Sequence, residues 1–239
     1  MPLLLRRLLI LLIVSVGRTA WAAPGDWEMC RNGLWGSDPD VSIHRAVIIG
    51  TPKEAVHFFD DNDGCPGAPR NGAVCQSKSY LIPGDTLLVG REDRGWICGY
   101  YRKTPTGRDF AGWIQADHVR LLDTPPPRDT DWLGTWRDGD NQIIIRRGQS
   151  PATFQIEGDA VWYGAHENVH VGSVSGAASP NGAELTITEG EPSDYACRVH
   201  LRLVGDRLIA NDNSQCGGMN VRFNGVYMRG QKQPSKAAG

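Results

Sequence analysis

Apolar positions along this chain come in short bursts. Thr86-Leu87-Leu88-Val89, Trp96-Ile97-Cys98-Gly99-Tyr100 and Gly112-Trp113-Ile114 are followed by Val119-Arg120-Leu121-Leu122. Between them stand Pro83-Gly84-Asp85 and the charged stretch Arg91 to Gly95. Runs of β-branched and aromatic residues parted by Gly, Pro and Asp predict a tight antiparallel β-unit, because the punctuating residues accept turn conformations that β-branched ones resist. Ala46 to Ile49 and Ala55 to Phe59 are two further strand candidates, with Gly50-Thr51-Pro52 as the turn between them.

The second half repeats the rhythm with different residues. Phe154 and Ile156 alternate, Gly158-Asp159 reads as a turn, and Val161 and Tyr163 alternate back. Leu185 and Ile187 mark another strand. Cys197, Val199, Leu201 and Leu203 share one face of the next, with Arg198, His200 and Arg202 on the other. Gly205-Asp206 is a two-residue turn with Gly first, which suits type II′, and Leu208 to Ala210 returns. Val221 to Phe223 and Val226 to Met228, broken by Gly225, close the series. Roughly six to eight antiparallel strands must form a sandwich or a closed barrel to bury their apolar faces. A helical period of useful length appears nowhere beyond the N-terminus. The expected fold is therefore all-β, with one small domain over residues 26–122 and a second over 132–229. Pro125-Pro126-Pro127 lies in the connecting stretch 123–131, and three consecutive prolines favour an extended spacer.

The Pro83-Gly84-Asp85 turn, Gly95-Trp96 after a hairpin tip, and Gly112-Trp113 ahead of Val119 resemble the bacterial SH3-like domain, over residues 44–122. The resemblance implies a small barrel used as a binding module in cell-wall enzymes and envelope proteins. Gly134-Thr135-Trp136 is similar to the Gly-x-Trp opening of lipocalin- and avidin-like barrels, where the Trp plugs the barrel bottom. That likeness favours a barrel over a sandwich for the second domain. Such a barrel either holds a small ligand or is filled by side chains.

The first residues carry an address. Arg6-Arg7 precede an apolar run from Leu8 to Val16, and Ala20-x-Ala22 follows, the pattern of a secretory signal cut after Ala22. The mature chain would then hold 217 residues, 239 less 22. Losing Arg6, Arg7 and Arg18 takes the net charge from −2 to −5. Mild acidity without a basic run argues against nucleic acid as a partner. The expectation is a periplasmic or secreted protein with no membrane span, and a polar, disordered tail over 230–239.

Six cysteines, at 30, 65, 75, 98, 197 and 216, all fall in the mature part, and an even count in an exported chain reads as a disulfide set. If each domain pairs internally, Cys197–Cys216 is forced and the first four have three possible pairings. A bridge across the long, irregular acidic loop favours Cys65–Cys75, which leaves Cys30–Cys98. For the second bridge, reflecting Cys197 across the Gly205-Asp206 turn gives Ser214, two residues short of Cys216. Asp60 to Asp63 with Gly64 invite a calcium reading. The spacing fails, since Gly64 at loop position six puts Phe59 at position one and Arg70 at position twelve.

His166-Glu167-Asn168-Val169-His170 matches H-E-x-x-H, which on a helix presents two imidazoles to zinc with the Glu as general base. Here Gly164 stands just before it, Gly172 and Gly176 just after, and Val169, Val171 and Val174 are β-branched. That context predicts strand and turn, where the two imidazoles do not converge. Zinc-dependent hydrolysis is thus the alternative and not the main reading, and no cofactor is expected. The better functional lead is aromatic: Trp96 and Tyr100 on one strand face, Tyr101 on the other, and Trp113 on the next strand. Such residues either fill a small barrel or line a groove for glycan or peptide. The resulting expectation is a non-catalytic envelope protein that binds cell-wall peptide, glycan or an envelope protein. Inhibition of a lysozyme-type enzyme is a variant of the same class.

Overall fold

The computed structural model describes residues 30, 41–61, 65, 72–150, 152–191, 193 and 195–230. The signal peptide expected over 1–22, and the expected tail beyond Gly230, lie outside them. The described chain is nearly all β. The helical pieces are α1 (Gly72–Cys75), α2 (Asp129–Trp132) and a 3-10 turn over Ala116–His118. Among the described residues no helix is long and apolar enough to cross a membrane.

The first sheet has seven strands: β1 (His44–Ile48), β2 (Val56–Phe59), β3 (Gln76–Leu81), β4 (Thr86–Asp93), β5 (Trp96–Arg102), β6 (Asp109–Gln115) and β7 (Val119–Leu121). They lie in the order β3-β2-β6-β5-β4-β1-β7, every neighbour antiparallel. Turn chemistry sets the hairpins. Asp85 N donates to Ile82 O at 3.0 Å, and Gly84 has φ 100°, so Pro83-Gly84 forms a type II turn that only Gly makes cheaply. At the β4–β5 tip Arg94 and Gly95 both have positive φ, 47° and 83°, which matches the right-handed twist of the flanking strands. Ile48, Phe58, Leu81, Val89 and Ile114 form the core beneath this sheet.

The second sheet has eight strands: β8 (Gly134–Asp138), β9 (Asn141–Arg147), β10 (Phe154–Tyr163), β11 (Val169–Ala178), β12 (Glu184–Thr188), β13 (Arg198–Val204), β14 (Arg207–Asp212) and β15 (Gly225–Arg229). Their order is β11-β10-β9-β8-β15-β14-β13-β12, again antiparallel throughout. The two ends of the sheet come back together. A Cβ placed on Gly176 of β11 would meet Ile187 Cγ2 at 2.9 Å and Thr188 O at 3.4 Å, both on β12. The sheet is therefore a nearly closed barrel. Trp132, Trp136, Phe154, Phe223 and Tyr227 are buried in its interior. Two of their polar groups donate to backbone carbonyls: Trp136 Nε1 to Trp132 O at 2.8 Å, and the Tyr227 hydroxyl to Phe223 O at 2.9 Å. Burial is the chief reason that the Tyr227 phenol sits far above its ordinary pKa.

Two sequence-based expectations fail here, for related reasons. Gly158-Asp159 is no turn. β10 runs unbroken through it and pairs with β11 from Phe154↔Ala178 to Tyr163↔Val169. Gly158 marks a crowded spot instead, where a Cβ would lie 2.9 Å from Phe223 Cε1 and 3.0 Å from Val174 Cγ1. Val221 to Phe223 is not a strand either. It is a loop whose Val221 and Phe223 are buried in the barrel. The Gly205-Asp206 turn is found as expected, joining Val204↔Arg207, with φ 62° at Gly205 and no positive φ at Asp206.

All six cysteines are bridged, as Cys30–Cys98, Cys65–Cys75 and Cys197–Cys216, with Cα separations of 5.5, 5.4 and 4.6 Å. Three bridges in a chain of this size point to an oxidising, extracytoplasmic environment. The two sheets also pack on each other. Leu88 and Tyr100 from the first, with Ile43 just ahead of β1, meet Val204, Ile209 and Val226 from the second in one apolar cluster. Arg45 pairs with Asp206 at 3.4 Å across this seam, and Arg202 Nη1 donates to Val41 O at 3.1 Å.

Candidate binding cleft between the two sheets

Side chains alternate along β5, so Trp96, Cys98, Tyr100 and Arg102 share a face. The first two of these residues stay within the first sheet's own packing. Trp96 and Trp113 cluster with the Cys30–Cys98 bridge and Phe59, whose ring lies edge-on to Trp96 at 4.8 Å. The last two reach the second sheet. Beside them, where β6 and the β2–β3 hairpin stand off from β14, β15 and the end of β8, lies a cleft of about 460 Å³. That is within the usual size of a small-ligand site, roughly 300–1,000 Å³.

Its walls are mixed. Phe58 and Phe110, stacked with ring centres 6.4 Å apart, line it from the first sheet, and Ile209 and Val226 from the second. Ser77, Ser79, Asn211 and Asn224 contribute polar groups. Tyr100, Asp109 and Asp138 also line it, and Arg102 ties these three together. The Arg102 guanidinium bonds to Asp138 Oδ1, lies 3.3 Å from Asp109 Oδ2, donates to Val226 O at 3.3 Å, and sits over the Tyr100 ring at 6.0 Å. The Arg102 and Asp138 side chains are only 9% and 15% exposed.

This is a buried ion pair that joins the sheets. Burial pushes the Asp138 carboxyl above its ordinary pKa, opposed by the hydrogen bond and charge of Arg102. Burial works against the Arg102 charge too, but the Asp138 hydrogen bond and nearby carboxylates outweigh it and hold the guanidinium above its ordinary value. The Tyr100 phenol is driven well up, chiefly by burial, and its hydroxyl lies 3.4 Å from Asp109 Oδ2. The cleft therefore presents carboxylates, hydroxyls and amides, a lining able to hold a molecule by hydrogen bonds and charge.

No family model, curated protein or solved structure matches this chain. The geometry alone must carry the functional reading.

Of the four aromatics singled out from the sequence, Tyr100 alone lines the cleft. Trp113 is fully buried and offers no surface to a ligand. Trp96 is half-buried beside Phe59, and Tyr101 points to the opposite face, packed on the first sheet's core. The four do not form one groove. The carboxylates Asp109 and Asp138 and the polar side chains of β3 were missed, because they come from strands far apart in sequence. One signal was available: Arg102 follows Tyr100 on an otherwise apolar strand face, and a guanidinium placed there demands a buried partner.

The H-E-x-x-H motif lies elsewhere, at the tip of the β10–β11 hairpin. His166 and Glu167 have φ of 56° and 60°, and Gly164 N donates to Asn168 O at 2.7 Å. His170 is on β11 beside the Trp162 ring, bonded to Met219 O. The helical geometry that the zinc reading requires is not there. Among the described residues no group of three His, Cys, Asp or Glu is placed to hold a metal ion.

Proposed function

We propose that this protein is an exported, non-catalytic binding protein of the cell envelope, periplasmic or secreted, which takes a cell-wall glycan or peptide into the cleft between its two sheets. The cleft is the observation that carries this reading: ligand-sized, lined by polar groups from both sheets, and bordered by a buried ion pair that joins them. The path of the first sheet supports an SH3-like module. Strands β6-β5-β4-β1-β7 are consecutive neighbours, with a 3-10 turn before the last, and the β2–β3 hairpin is added at the β6 edge. The three disulfides and the N-terminal signal pattern support export.

Co-sedimentation with purified insoluble peptidoglycan tests the reading. The mature, oxidised protein should pellet with it. Ser79→Trp, which places an indole in the cleft from a partly exposed position on β3, should leave the folded protein in the supernatant. A wild-type protein that stays in the supernatant, or a folded Ser79→Trp that pellets equally well, would overturn it.

A further inference from the structure

We infer that the cleft selects a ligand that carries a free ammonium group, seated on Asp109 and Asp138. This rests on the proposed role of the cleft and specifies the ligand's chemistry.

The charge pattern carries the inference. Asp109 and Asp138 share the single guanidinium of Arg102, so the trio is net negative. Asp109 is 52% exposed, and so within reach of a bound molecule. Arg102 does not line the cleft but stands behind these carboxylates, and among the described lining residues there is no Lys, Arg or His. Arg45 and Arg207 border a separate niche that Tyr100 also lines, and both are paired with Asp206. A carboxylate or phosphate ligand would enter a site lined by three acidic residues, Asp60, Asp109 and Asp138, and by no cation. An ammonium would find charge-assisted acceptors already oriented by Arg102 and by the Tyr100 hydroxyl. Like-charge exclusion and opposite-charge attraction then act together, as a selective site requires.

A free ammonium has two sources in wall material, an amino sugar and a lysine-like side chain. Titration calorimetry of the mature, oxidised protein separates them with two matched pairs. One is the glucosamine trimer against its N-acetylated form. The other is the blocked tripeptide Ala-Lys-Ala against its Nε-acetyl form. At least one free amine should bind more tightly than its acetylated twin by roughly tenfold or more, the scale of one good charge-assisted contact. The pair that shows the gap identifies the source. Asp109→Asn, at a half-exposed position that tolerates the change, should narrow the gap several-fold, and 0.5 M salt should do the same. Acetylated probes that bind as well as free amines, with Ser79→Trp abolishing both, would overturn the ammonium selectivity while leaving the cleft reading in place. Absence of binding by every probe, in a protein that still pellets with peptidoglycan, would also overturn it.

Discussion

Replacing Arg102 with Met leaves a carboxylate without its cation in the seam between the sheets. Both members of the Arg102–Asp138 pair are close to fully buried, so solvent screening relieves little of the loss. Removing one partner of a buried pair typically costs about 3–5 kcal/mol, a large part of the 5–15 kcal/mol that holds a domain together. The second contact, to half-exposed Asp109, adds little. The cost must depend on pH, and its sign follows from Asp138. Its carboxyl is already raised in the folded protein by burial. A carboxyl raised on folding favours the fold while protonated, below its unfolded pKa of about 3.9, and that contribution is lost as pH rises through the folded value. Without Arg102 the folded value climbs further, so the variant should be crippled at pH 7 and partly relieved near pH 4. In urea at pH 7 the midpoint should fall by about 1–2 M, taking an m-value of roughly 2–3 kcal/mol per M. The double variant Arg102→Met/Asp138→Leu should recover most of the loss, because no charge is then stranded. A cost below about 1 kcal/mol at pH 7, or the same cost at both pH values, would refute the buried-latch reasoning.

Three further outcomes are expected. Gly172→Ala should destabilise by about 1–3 kcal/mol in urea unfolding, because its Cβ would lie 2.1 Å from Cys216 O, on a backbone segment tied down by the Cys197–Cys216 bridge. Cys197→Ser/Cys216→Ser should lose about 3 kcal/mol by the same assay, as expected for a bridge that closes a loop of 19 residues, while non-reducing peptide maps keep the other two bridges. Glu167→Ala should change neither stability nor bound zinc by elemental analysis, since the residue sits at a hairpin tip with a left-handed backbone.

Much of this architecture was legible because local chemistry and global fold agree. Alternation in Cys197 to Leu203, the Gly205 turn and reflection across it placed the second bridge from sequence alone, and the β13–β14 register Val199↔Asp212 follows the same reflection. Glycine was the point of confusion. Gly158, Gly172 and Gly176 carry the same letter as turn glycines, yet each sits inside a strand where another segment presses close. Only the closed barrel, with Phe223 and Cys216 folded against those strands, separates the two uses. The cleft was illegible for a different reason. Asp109 and Asp138 stand at strand ends in two sheets, and nothing local says that one guanidinium will hold both. Tyr100 was found because an aromatic on a strand face is visible by itself.

The central claim is that ligand sits between the two sheets, and amide chemical shifts test it most directly. The mature, isotope-labelled protein should be titrated with soluble peptidoglycan fragments and followed residue by residue. The largest shifts should fall on Phe110 and Ala111 of β6 together with Asn224 and Gly225 at the start of β15, groups that face each other only across the cleft. Shifts confined to one sheet, or gathered at exposed Val169 and Val171 on the β10–β11 hairpin while the cleft stays silent, would contradict it.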